Sequence, residues 1–176
     1  MTDSSRKRPA LWRLAMWGAL AALLSIPAIF RFPWTASDFV IMGILFASVG
    51  LGIEFLVRRS GSNAFRLGSV VAVLTAFMTE WVNLAVGMIA SEDNPYNLYF
   101  MAIPLVVFTT AALVRFEARR TAWIMAGAAA AQLALALGGL NVDLRGAGFS
   151  SFFAFLWLVA AALFWSAAVG ERRAVR

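Results

Sequence analysis

The apolar residues of this chain neither alternate nor recur every third or fourth position. They run on, in six stretches covering residues 14–30, 39–57, 67–90, 98–114, 122–140 and 149–169. A helix rises about 1.5 Å per residue, so ~20 apolar residues cross the ~30 Å hydrocarbon layer of a bilayer. Each stretch therefore predicts one transmembrane helix, although residues 98–114, at 17 residues, sit at the lower limit. A transmembrane barrel needs strands of about ten residues with alternating polarity, and these runs are continuously apolar. The expectation is an all-α, polytopic transmembrane helical bundle of six spans, residues 14–170, between basic tails at residues 1–13 and 171–176. A basic start before an apolar run also suits a signal peptide. A retained helix is favoured, because residues 14–30 form a long run followed by the aromatic interfacial turn Phe30-Arg31-Phe32-Pro33-Trp34.

Charge adds direction. The tails and the second and fourth connections hold the basic clusters: Arg6, Lys7, Arg8 and Arg13; Arg58, Arg59 and Arg66; Arg115, Arg119 and Arg120; Arg172, Arg173 and Arg176. The other three connections have only Arg31 and Arg145, beside Asp38, Glu92, Asp93 and Asp143. Basic loops stay in the cytoplasm, so both termini are expected there, and losing one span would break the alternation. Clusters this short beside apolar spans point to topology signals touching lipid head groups and away from nucleic acid. Lys7 is the only lysine among 15 basic residues. Arginine with abundant alanine is the usage of GC-rich bacterial genomes, so the expected location is a bacterial inner membrane.

Composition then excludes chemistry. Hydrophobic residues make up 62% and charged residues 14%, against ~25% charged in soluble domains. The chain has no cysteine and no histidine, which removes disulfides, thiol nucleophiles, imidazole ligands and the commonest general base. No phosphate-binding loop, dinucleotide fingerprint, nucleophile elbow or zinc motif is present. The expectation is a chain that is not an enzyme and takes no cofactor or metal at a dedicated site.

Two features could still carry function. Glu80, fourteenth of the 24 residues in the run 67–90, falls close to the predicted midplane, where a carboxylate is costly. Asn83 lies at i+3 on the same face, and Gln132, near the middle of the fifth run, could meet Glu80 across the bundle. The functional reading is a protonatable site for proton or cation movement; the packing alternative is a neutral Glu80 bonded to Asn83 or Gln132. The second feature is the segment Ser91-Glu92-Asp93-Asn94-Pro95-Tyr96-Asn97. Glu92 and Asp93, with the side-chain oxygens of Asn94 and Asn97, offer hard ligands for a cation. Asp93 or Asn94 followed by Pro95 equally makes a cap for the fourth helix. Glu54 has Arg58 at i+4, the spacing of a local ion pair. The stripe Gly43, Ala47, Gly50 and Glu54 and the pair Gly127 and Ala131 suit close helix packing.

The stretch Val82-Asn83-Leu84-Ala85-Val86-Gly87-Met88-Ile89-Ala90-Ser91-Glu92-Asp93-Asn94-Pro95-Tyr96-Asn97-Leu98-Tyr99 resembles a signature of small bacterial multi-pass inner-membrane proteins, roughly N-x-x-V-G-x-I-G-S-E-D-N-P-x-N-L-x-Y. Their last helix is similar to residues 148–157. Here Ala90 stands where that signature has glycine. The resemblance implies that Asn83, Gly87 and residues 91–97 belong to a defining feature, and it lends no activity. The expected function is a transport or channel-type module for protons or small cations, with Glu80 as the protonatable group. The alternative is an accessory or assembly subunit of a larger membrane complex. Expected partners are the lipid bilayer, other membrane subunits or a second copy of the chain.

Overall fold

The computed structural model describes residues 8–174, so Arg6, Lys7 and Arg176 of the two tails lie outside the described residues. Six helices follow in order: α1 Arg8–Ile29, α2 Ala36–Val57, α3 Asn63–Ala85, α4 Asn97–Leu113, α5 Ala118–Gly138 and α6 Leu144–Ala174. No strand occurs among the described residues. All but α4 are long and apolar enough to cross a membrane, with mean hydropathies of 1.4 to 2.3. The 17 residues of α4 rise about 26 Å.

The chain divides after Phe55 into two compact units. The first is the α1–α2 pair. Trp17 of α1 lies against Gly50 of α2, where an added Cβ would come 2.5 Å from its ring. Arg13 pairs with Glu54 at 2.6 Å, and Trp17 Nε1 donates to the same carboxylate at 3.4 Å. The stripe Gly43, Gly50 and Glu54 thus faces α1, and Glu54 has a partner from α1 that local spacing does not reveal. The α1–α2 turn ends in a reciprocal cap: Thr35 N–H and its hydroxyl donate to Asp38 at 2.6 and 2.9 Å, while Asp38 N–H reaches back to Thr35 Oγ1 at 3.4 Å. This is a capping box with aspartate at its third helical position.

The second unit is built from α3–α6. α6 packs on α3 and α5, and α4 also packs on α3 and α5. Phe65 and Gly68, early in α3, meet Phe164 and Leu163, late in α6. The two helices are therefore antiparallel. The interior is filled with small residues, such as Ala72, Ala111, Ala122, Ala136 and Ala160, around Trp157 and Phe164. Large apolar side chains point outward, Leu105 being 71% and Leu113 80% exposed. Small residues inside let helix backbones approach, and large ones outside match hydrocarbon. In water the same surface would be a contiguous apolar patch far beyond what a soluble monomer carries.

Two boundaries differ from the hydropathy reading. The run 67–90 is not helical to its end: α3 stops at Ala85 and residues 86–90 leave the axis. Gly87, at φ +76°, accepts the left-handed conformation that terminates the helix, and its N–H bonds back to Val82 O and Asn83 O at 3.1 and 3.2 Å. The apolar residues after it are still buried. Met88 and Ile89 plug the end of the unit against Val82, Phe100, Ala147 and Phe153. Conversely, residues 145–148, which precede the apolar run 149–169, already belong to the first turns of α6. The Asp143 carboxylate holds that turn by accepting from Gly146 N–H at 2.9 Å. Gly127, expected to face a neighbouring helix, has open space beside it, and Ala131 is exposed.

Candidate functional site

The most heavily built polar feature is the connection from Val86 to Tyr96. Asn97, the first residue of α4, organises it. Its Oδ1 accepts from Ile89 N–H at 2.9 Å and Met88 N–H at 3.2 Å. Its Nδ2 donates to Ser91 O at 2.7 Å and Ile89 O at 3.3 Å. One side chain thus closes the backbone groups that would otherwise be orphaned where α3 stops. Asn94 adds a bond from Nδ2 to Ile89 O at 3.1 Å and accepts Tyr96 N–H at 3.1 Å. The latter is an Asx turn, which starts α4 as a cap would. The Tyr96 hydroxyl donates to Leu135 O on α5 at 2.9 Å.

Asp143 ties this connection to α6. Its Oδ2 accepts Ala90 N–H at 3.1 Å while Oδ1 serves Gly146. Hydrogen bonds from the Gly146 and Ala90 backbone amides, with a smaller contribution from Arg145, hold its carboxyl below the ordinary carboxylate range. Glycines keep the clamp close: a Cβ on Gly139 would strike Ile89, and one on Gly87 would strike Ser91 and the Asn97 amide.

Glu92 and Asp93 are exposed on this connection. They do not form a cation cage with the asparagines, because Asn94 Oδ1 and Asn97 Oδ1 already accept backbone amides. Among the described residues no three acidic side chains come together.

The structure does not assemble Glu80, Asn83 and Gln132 into one hydrogen-bonded group. Glu80 is only five residues from the end of α3, about 8 Å along the axis from it, and is half-buried. It is therefore well away from the helix midpoint, because α3 begins earlier and ends sooner than the apolar run. Among the described residues Glu80 makes no hydrogen bond or ion pair. Asn83 is buried and donates to Thr79 O of its own helix at 2.7 Å. Gln132, fully buried, donates to Ser150 Oγ on α6 at 3.1 Å. The remaining amide oxygens, Asn83 Oδ1 and Gln132 Oε1, are buried without a donor.

Asp143 was the residue hardest to see in the sequence. It reads there as a topology marker, and the Gly146 three residues later is its only local sign as a cap. Asn97 was visible as an oxygen ligand, but its ligands are backbone amides of its own chain. Comparison with family models, with curated proteins and with solved structures finds no match to this chain.

Proposed function

We propose that this chain is a non-enzymatic, multi-pass subunit of a larger assembly in a bacterial inner membrane, and that residues 91–95 are its contact with a partner. The observation that supports this is the fixed connection itself. Side chains of Asn94, Tyr96, Asn97 and Asp143 bond it to itself, to α5 and to α6. Ordering a loop costs about 1–2 kcal/mol per residue in backbone entropy. Here that ordering presents Glu92 and Asp93 in a set position, where neither serves the fold. Preorganised exposed charge is a property of recognition surfaces, and its complement is a basic segment.

In this reading all six helices cross, both termini lie in the cytoplasm, and the acidic loop faces outward. The alternation of basic and acidic connections supports that orientation. The test is purification of the tagged full-length chain from its native membrane in mild detergent, beside Glu92→Ala/Asp93→Ala. A co-purifying protein lost in the double variant, with the melting temperature unchanged, is the expected result. A stable lone monomer, or a partner retained equally by both, sinks the proposal.

A second reading is favoured by one observation, the partnerless Glu80 carboxylate within α3. It makes the chain a proton or small-cation pathway. Proteoliposome flux of wild type beside Glu80→Gln decides it, since equal flux at the level of empty liposomes leaves no pathway.

A further inference from the structure

At the end of the second unit where α5 begins and α6 ends, an open groove of about 250 Å³ is lined by Trp165, Val169, Arg172 and Arg173. These four recur at i, i+4, i+7 and i+8, one stripe of α6. α5 packs against the tryptophan of this stripe. Trp123 meets Trp165 edge to face with ring centroids 5.9 Å apart, and the Arg119 guanidinium lies 5.8 Å above the Trp165 ring. The groove is thus walled by Trp165 and lined by Arg172 and Arg173, with Arg119 held against the same tryptophan.

Charge at this end is uncompensated. Glu117 is taken by Arg120 at 3.0 Å. Glu171 lies about 120° round α6 from Trp165 at 3.6 residues per turn. Among the described residues Arg119, Arg172 and Arg173 make no ion pair. The position matters as much as the charge. α5 turns apolar directly after Arg120, and α6 stops being apolar just before Glu171, so the groove sits at the edge of the apolar belt. Tryptophans and arginines at that depth lie at the head-group layer of a bilayer. The volume is below the ~300–1,000 Å³ of whole small-molecule pockets and suits a head group whose chains continue into lipid.

We propose that this groove is a binding site for one anionic phospholipid. Arg172, Arg173 and Arg119 take its phosphate, and Trp165 and Val169 pack on the glycerol and upper acyl carbons. Guanidinium groups suit phosphate because they donate paired N–H groups to its oxygens. The site does not depend on the acidic loop, which lies beyond the far ends of α5 and α6.

The experiment uses the full-length protein, delipidated in mild detergent and offered phosphatidylglycerol or phosphatidylcholine of identical acyl chains. Retained lipid is counted by native mass spectrometry. One phosphatidylglycerol retained in preference to phosphatidylcholine is expected. Arg172→Gln/Arg173→Gln and, on the other helix, Arg119→Gln each weaken retention by about fivefold per arginine. Arg145→Gln, at the opposite end of α6, leaves it unchanged. Equal retention of the two lipids by the wild type overturns the proposal whatever the variants do. Loss in Arg145→Gln as large as in the others, or complete displacement of lipid by excess inorganic phosphate, overturns it too. The first would show general charge attraction, and the second a site for free phosphate.

Discussion

At the scale of single residues, position 90 shows a conflict between side chain and backbone. Ala90 sits at φ +65°, a left-handed conformation that costs an L-residue about 1–2 kcal/mol. With its N–H held by Asp143, that φ turns the following chain so that Ser91 O meets Asn97 Nδ2 at 2.7 Å. Glycine relieves that strain but frees the unfolded chain by about 0.4–1 kcal/mol. The strain term wins, so Ala90→Gly is expected to stabilise by about 0.5–1 kcal/mol, raising the melting temperature by about 2–3 °C in tryptophan-monitored scans. An unchanged or lower melting temperature would show that the left-handed turn carries no strain. Asn97 is the opposite case, a side chain whose every group is used. Asn97→Ala leaves the Met88 and Ile89 amides without their acceptor, at about 1–3 kcal/mol for each buried donor stranded. A loss of several degrees is expected; a shift within about 1 °C means that water replaces the carboxamide, and the organising role fails.

At the scale of elements, helix ends decide more than helix interiors. The Asp143 carboxylate joins the start of α6 to the turn after α3. Its carboxyl is depressed in the fold by those amides. A depressed acid stabilises fully above its unfolded value, about 3.9, and that contribution disappears as pH falls through the lower folded value. The Ala90 amide is therefore expected to stay protected in hydrogen exchange at neutral pH and to lose protection only in strong acid. In Asp143→Asn, protection is lower already at neutral pH, because the acceptor is no longer charged. Equal protection in wild type and variant across the range would remove Asp143 from the clamp. In the first unit, Gly50 is the element-scale contact. Gly50→Val places branched carbons where Trp17 lies and is expected to separate α1 from α2. Cysteines introduced at positions 24 and 43, where Leu24 lies 3.8 Å from a Cβ added to Gly43, are expected to cross-link readily beside Gly50 and more slowly beside Gly50→Val; equal rates in the two backgrounds would contradict that close contact.

At the scale of the whole molecule, the charge alternation argues a topology. If six helices cross with both termini in the cytoplasm, reporter fusions after residues 60, 117 and 173 are active on the cytoplasmic side. Fusions after residues 34, 92 and 142 then report the opposite side. A cytoplasmic signal at residue 92 would turn the acidic loop inward and end its proposed role as an outer contact. α4 is the span at issue, since its 17 residues leave little margin across ~30 Å. The Asn94-Pro95-Tyr96 turn adds length at its start, with Asn97 N–H bonding to Asn94 O at 2.9 Å.

The sequence by itself determined the helical class and the helices that are apolar enough for a membrane. Transfer into hydrocarbon adds residue by residue along a local run, so hydropathy reads it without knowing the partners. The same locality made 67–90 look like one span with Glu80 near its centre. Only the tertiary structure decided that α3 stops at Ala85, because the group that accepts the freed amides, Asn97 Oδ1, lies eight and nine residues further along. It likewise decided that Arg13 meets Glu54, 41 residues apart in a contact sequence spacing cannot encode, and that Asn83 and Gln132 spend their amides on Thr79 and Ser150. Apolar burial is a property of a segment; hydrogen-bond satisfaction at a helix end is a property of what the fold brings to it.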